Sequence, residues 1–183
     1  MNLPNKISFA RICMVPLFAI LALCPIPHGD IWAAAVFIIA SLSDMVDGKI
    51  ARKYNLVTTL GKFIDPLADK ILVSSAFIVL VNMDRLAAWI VIIIICREFA
   101  VNGLRILAAE QGVVIAASFW GKLKTTSQMV AILLLLVQQM SIWPQPFFVI
   151  FAQVIAYIAL IMTVFSGADY IIKGWPFLIG SRK

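Results

Sequence analysis

The sequence predicts an all-α, polytopic membrane protein: six transmembrane helices with a short N-terminal interfacial helical segment, in a single domain over residues 1–183. Three observations predict it. Hydrophobic residues make up 63% of the chain, against about 45–50% in soluble domains. Several stretches approach the ~20 apolar residues that cross a bilayer as a helix. Finally, the basic residues segregate. With six helices the outer loops fall near residues 25–30, 82–86 and 141–146, and of 15 Lys and Arg only Arg85 lies in them. This is the positive-inside pattern, and it puts both termini in the cytoplasm. The net charge of +6 is therefore a topology signal and no pointer to nucleic acid. It can also attract anionic membrane lipids and an anionic substrate.

The first helix is expected over residues 4–24, kinked at Pro16, which removes a backbone donor. Lys6 and Arg11 before an apolar run resemble a signal peptide, but Leu23-Cys24 is a poor cleavage site, so the helix is read as retained. Pro25 and Pro27 mark the first outer turn. The second helix, 31–53, is apolar to Leu42 and then carries Asp44, Asp47, Gly48, Ala51 and Arg52. The third, 61–82, carries Gly61, Asp65 and Asp69 before turning apolar. The fourth covers 86–109, the fifth 117–139 and the sixth 146–173, with Pro144 and Pro146 at the last outer turn. Residues 180–183 read as a frayed, charged tail. Cys13, Cys24 and Cys96 have no paired spacing and read as small apolar packing residues. His28, the one histidine, reads as a solvated outer-loop side chain.

Carboxylates at membrane depth are expensive and mark a functional site. From Ile31 to Asp44 the helix rises ~20 Å, inside a hydrocarbon core of ~30 Å, where a site can meet a lipid headgroup. Asp44 and Asp47 are spaced i, i+3, and Asp65 and Asp69 i, i+4, so each pair shares a face. A tight reversal between the helices makes them antiparallel with the four carboxylates facing. Left alone these would repel and take up protons. Two divalent cations remove that conflict, and hard oxygen ligands favour magnesium, manganese or calcium over zinc. Such a pair suits phosphoryl transfer. Gly48 and Ala51 leave room for a ligand, Arg52 offers a fork for a diphosphate, and Gly61 widens the cleft. A D-x-x-D alone is a weak signal, and Arg52-Lys53 could be ordinary inner anchors; the whole set is much harder to reach by chance.

Asp44-x2-Asp47-Gly48-x2-Ala51-Arg52-x8-Gly61-x3-Asp65-x3-Asp69 resembles the signature of the CDP-alcohol phosphatidyltransferase family at every fixed position. The resemblance implies a six-helix membrane fold over the whole chain and exchange of the CMP of a CDP-linked lipid for an alcohol. It implies that Asp44, Asp47, Asp65 and Asp69 hold Mg2+ or Mn2+, two ions per site, and that Asp69 is also the general base. Gly48, Ala51, Arg52 and Gly61 would line the cytidine-diphosphate pocket, with Thr58 as a further contact. Asn5-x-x-Ser8-x-x-Arg11 resembles the family's short membrane-surface helix, which borders the nucleotide; Ser8 replaces the more usual threonine. A homodimer in the bacterial cell membrane, with the active site on the cytoplasmic side, is implied as well.

A second set of residues bears on the alcohol. Arg97 and Arg105 lie two turns apart on helix 4, and Lys122 and Lys124 open helix 5. These four cations could form an anion pocket for an acceptor such as glycerol 3-phosphate. The plainer alternative makes Arg105, Lys122 and Lys124 inner anchors. The runs 97–105 and 121–126 resemble the branch of the family that joins CDP-diacylglycerol to glycerol 3-phosphate. Inositol phosphate and serine are the alternative acceptors. A divalent-cation transporter is the alternative of a different class; it would explain the acids but not Gly48, Arg52 or the helix 4–5 cations.

Overall fold

In the computed structural model the backbone is described for residues 3–53, 59–110, 113, 118–140 and 144–178, and side chains for 6–43, 64, 67–110, 113, 118–140, 144–172 and 174. Those residues form six α-helices and no strand: α1 Leu3–Leu23, α2 Gly29–Lys53, α3 Thr59–Asn82, α4 Ala88–Glu110, α5 Phe119–Val137 and α6 Phe147–Leu178. The expected helices are all present, with ends displaced by a few residues. The N-terminal segment is continuous with the first helix, as α1 runs unbroken from Leu3 through Pro16. Its apolar register continues across the proline.

The chain divides into two compact units, residues 1–85 and 86–183. In the first, α1 packs along both α2 and α3. Ser8, Arg11, Phe18 and Ala22 form its buried stripe, at helical spacing. Phe18 meets Phe37 of α2 with ring centroids 6.1 Å apart. At the α1–α2 turn the backbones nearly touch: a Cβ on Gly29 would lie 2.3 Å from the Leu21 carbonyl oxygen. His28 precedes it with a positive φ of 56°, and is exposed as expected.

Within the second unit, α6 is the centre, packed against α4 and α5. Ala152, Ala156, Ala159, Thr163, Ser166 and Gly167 are buried along one face. Small residues at this spacing let helix backbones approach closely where hydrophobicity alone gives no drive to associate. Gln128 of α5 donates to Thr163 Oγ1 at 2.9 Å, and that hydroxyl donates to the Ala159 carbonyl at 2.6 Å.

Away from these faces much of the described surface is apolar. Ile92, Phe99 and Ile106 leave one stripe of α4 open, opposite buried Ile90, Val91, Ile94, Val101 and Leu104. Extended apolar exposure of this kind suits lipid contact. Among the described residues two helices hold windows long and apolar enough to cross a membrane, Lys6–Leu23 and Phe147–Ile172; the apolar part of α2, Gly29–Ser43, is shorter. The chain is thus an all-helical, membrane-associated protein. All three cysteines are free and exposed. They are therefore not packing residues, although the absence of a disulfide among them matches their unpaired spacing.

Candidate functional site

The direction of α2 and α3 decides where the aspartates lie. Asp30 opens α2, and Arg85 follows the end of α3. The Arg85 guanidinium donates to Asp30 Oδ2 in a largely buried ion pair. The start of α2 and the end of α3 are therefore together, so the helices run antiparallel. The last turns of α2, with Asp44, Asp47, Gly48, Ala51 and Arg52, then lie at the same end as the first turns of α3, with Gly61, Asp65 and Asp69. The side chains of Asp44, Asp47, Ala51, Arg52, Asp65 and Asn5 lie outside the described residues, as does Thr58 entirely. Asp69 is half-buried. Among the described residues no group of three His, Cys, Asp or Glu could hold a metal ion, so the candidate site rests on helix register. Its donor set of four carboxylates fits a hard divalent cation.

Arg11 reaches this end from α1. It is fully buried, and its Nε donates to the Ala40 carbonyl at 3.2 Å and to Ser43 Oγ at 3.4 Å. Ser43 in turn donates to Ala40 at 2.7 Å. The guanidinium is thus clasped to α2 at the residue preceding Asp44. Sequence reasoning placed Arg11 in the nucleotide-bordering pattern but gave it no contact. Ser8, one turn earlier, is equally buried. An arginine three residues after a buried serine, in the first apolar helix, is the signal that could have marked the pair.

In the second unit the structure brings two of the four helix 4–5 cations together. Arg97 Nη1 donates to Glu98 Oε1 at 3.1 Å, and Lys124 Nζ binds the same oxygen. Arg97 Nη2 donates to Ser166 Oγ of α6, and its Cζ lies 5.7 Å from the Tyr170 ring centroid, within cation–π range. Arg105 and Lys122 are instead exposed. The fifth helix begins at Phe119, two residues later than expected, because Ser118 caps it, accepting from Gly121 N–H at 3.1 Å. Satisfying a first-turn amide this way stabilises the helix start. Sequence reasoning weighed Glu98 as a pairing partner of Arg97 but gave Ser166 and Tyr170 no role; the adjacency of Arg97 and Glu98 was visible there, and the α6 partners were not.

A family model described as CDP-alcohol phosphatidyltransferase matches residues 1–165. A protein of Bacillus subtilis (strain 168) named CDP-diacylglycerol–glycerol-3-phosphate 3-phosphatidyltransferase is 47% identical, covering 97% of each chain. Proteins of the same name from Rickettsia typhi and Haemophilus influenzae are 37% and 36% identical, covering 92% and 93% of this chain and 94% and 91% of theirs.

Proposed function

The chain belongs to the CDP-alcohol phosphatidyltransferase family and is an enzyme of that class; from that premise we propose that it transfers the phosphatidyl group of CDP-diacylglycerol to glycerol 3-phosphate. Phosphatidylglycerophosphate and CMP are the products. The observation that carries this reading is near-full-length similarity to relatives bearing that enzyme's name, at 36–47% identity. The antiparallel run of α2 and α3, which brings the signature's two halves to one end, supports it. Both units form one catalytic domain on this reading, as the family match crosses their boundary.

In the reaction the acceptor hydroxyl oxygen attacks the β-phosphorus. A new P–O bond forms, the bond from that phosphorus to the bridging oxygen breaks, and CMP leaves with the bridging electrons. Asp69 takes the hydroxyl proton late in attack, for which near-normal carboxylate basicity suffices. Asp44, Asp47, Asp65 and Asp69 would hold Mg2+ or Mn2+, as two ions. Bound there, the metal offsets charge on the diphosphate oxygens. Gly48, Ala51, Arg52, Thr58, Gly61, Asn5 and Ser8 receive the CDP moiety. Arg97, Arg105, Lys122 and Lys124 serve the acceptor phosphate. Arg11 acts behind these, holding α2 in place.

The finer topology belongs to the same reading: six spans, both termini and the aspartates cytoplasmic, two protomers per assembly in the bacterial cell membrane. Its support is the segregation of Lys and Arg along the chain. The deciding experiment is CMP release by the purified protein from CDP-diacylglycerol with glycerol 3-phosphate, glycerol, serine and inositol phosphate in parallel. Release with glycerol 3-phosphate alone is expected. Selective release with another alcohol would move the acceptor assignment. Divalent-cation flux into proteoliposomes without CMP release would favour a transporter.

A further inference from the structure

Side chains of three helices of the second unit meet around the Arg97–Glu98 pair. Neighbouring side chains on a helix do not face each other, so the Arg97–Glu98 bond requires Arg97 to curl back across α4. The lane for this is Gly167 of α6: a Cβ there would lie 2.8 Å from Arg97 Cγ. Ser166 and Tyr170 then fix the far side of the guanidinium. Tyr170 Oη also accepts from Ser118 N–H at 2.8 Å, tying the start of α5 to the ring beneath Arg97. Lys124, from α5, reaches the Glu98 oxygen already used by Arg97. The side chains of Arg97, Glu98 and Lys124 are only 11%, 13% and 6% exposed.

We propose that Glu98 is the positioning residue of the acceptor-phosphate end, holding Arg97 of α4 and Lys124 of α5 in one geometry that receives an anionic acceptor. Two buried cations without it would repel in a low-dielectric setting and adopt separate rotamers. One shared carboxylate prevents both. Preorganisation of this kind improves binding by lowering the ordering that the ligand must impose. The proposal rests on an acceptor that carries a phosphate. It gives Glu98 no contact with substrate and no proton to move.

The test is steady-state kinetics of the full-length enzyme in mixed micelles, varying glycerol 3-phosphate and CDP-diacylglycerol separately. Wild type, Glu98→Gln, Glu98→Asp, Lys124→Met and the Glu98→Gln/Lys124→Met double variant are compared. Glu98→Gln is expected to raise the glycerol 3-phosphate KM about tenfold or more while the CDP-diacylglycerol KM moves less than about twofold, a loss confined to one substrate's binding. Glu98→Asp should recover part of the loss. Because Glu98 acts on Arg97 and Lys124 jointly, the double variant should lose less than the product of the two single losses, the non-additivity of coupled residues. An unchanged glycerol 3-phosphate KM, a parallel rise for both substrates, or additive losses would each overturn the proposal. Should Glu98→Gln not fold, Glu98→Asp decides: a raised glycerol 3-phosphate KM supports the role and a wild-type value removes it. Failure of the acceptor reading would show in the wild type itself, as CMP release without glycerol 3-phosphate dependence.

Discussion

Two charged residues of the candidate site lie within the protein, Arg11 and Asp69. Arg11 is completely enclosed yet hydrogen-bonded to α2 beside Asp44, and a guanidinium at such a depth persists only with partners. Asp69, half-buried at the same end, is assigned the base. Asp69→Asn keeps size and removes basicity, so kcat should fall by about 10²-fold or more while CDP-diacylglycerol binding, read by equilibrium dialysis with labelled lipid in micelles, stays close to wild type. Normal turnover would remove the assignment. Arg105 contrasts with Arg97: it is exposed and so open to a ligand. Arg105→Ala is expected to raise the glycerol 3-phosphate KM far more than the CDP-diacylglycerol KM. Equal KM values for variant and wild type would make it an anchor. The aspartate, glycine and arginine set was legible in the sequence because its spacing is fixed along single helices. Ser166 and Tyr170 were not, since their partner Arg97 is about seventy positions away and nothing local marks the pairing.

Helix boundaries were largely legible because prolines, charges and apolar runs punctuate the chain at helix length. Packing faces were less so. On α6 nearly every residue is apolar, and only the small residues spaced three and four apart separate the buried face from the open one. The same closeness governs the α1–α2 turn, where Gly29 lies against a carbonyl rather than a movable side chain. Gly29→Ala must push the two backbones apart, an overpacking cost of about 1–3 kcal/mol. At about 2–4 °C per kcal/mol for a chain of this size, the thermal midpoint in detergent should drop by several degrees. Fluorescence-detected unfolding checks this, and a midpoint within a degree of wild type would mean the turn relaxes without strain. Activity of the surviving fraction should be unchanged, because the turn is at the opposite end of α2 from the aspartates.

Over the whole molecule, the proposed function has charge placement set the orientation and the aspartates set the chemistry. Cysteines placed at His28 and in the residue 111–117 segment, in a chain with Cys13, Cys24 and Cys96 replaced by Ser, should react differently with a membrane-impermeant maleimide in intact cells. The first should label and the second should not; the reverse pattern would invert the topology. EDTA should stop CMP release, with Mg2+ or Mn2+ restoring it, as the four-carboxylate donor set requires; activity that survives chelation would remove the metal role. The sequence by itself determined the class, the six helices, the aspartate signature and the segregation of cations, because each is written in spacing along one segment or in composition. Only the tertiary structure decided that Arg11 of α1 is clasped to α2, that the Asp30–Arg85 pair fixes the antiparallel run of α2 and α3, and that Glu98 gathers Arg97 and Lys124 while Arg105 and Lys122 remain exposed. Those facts depend on which faces of different helices meet, and helix period alone leaves every such pairing open.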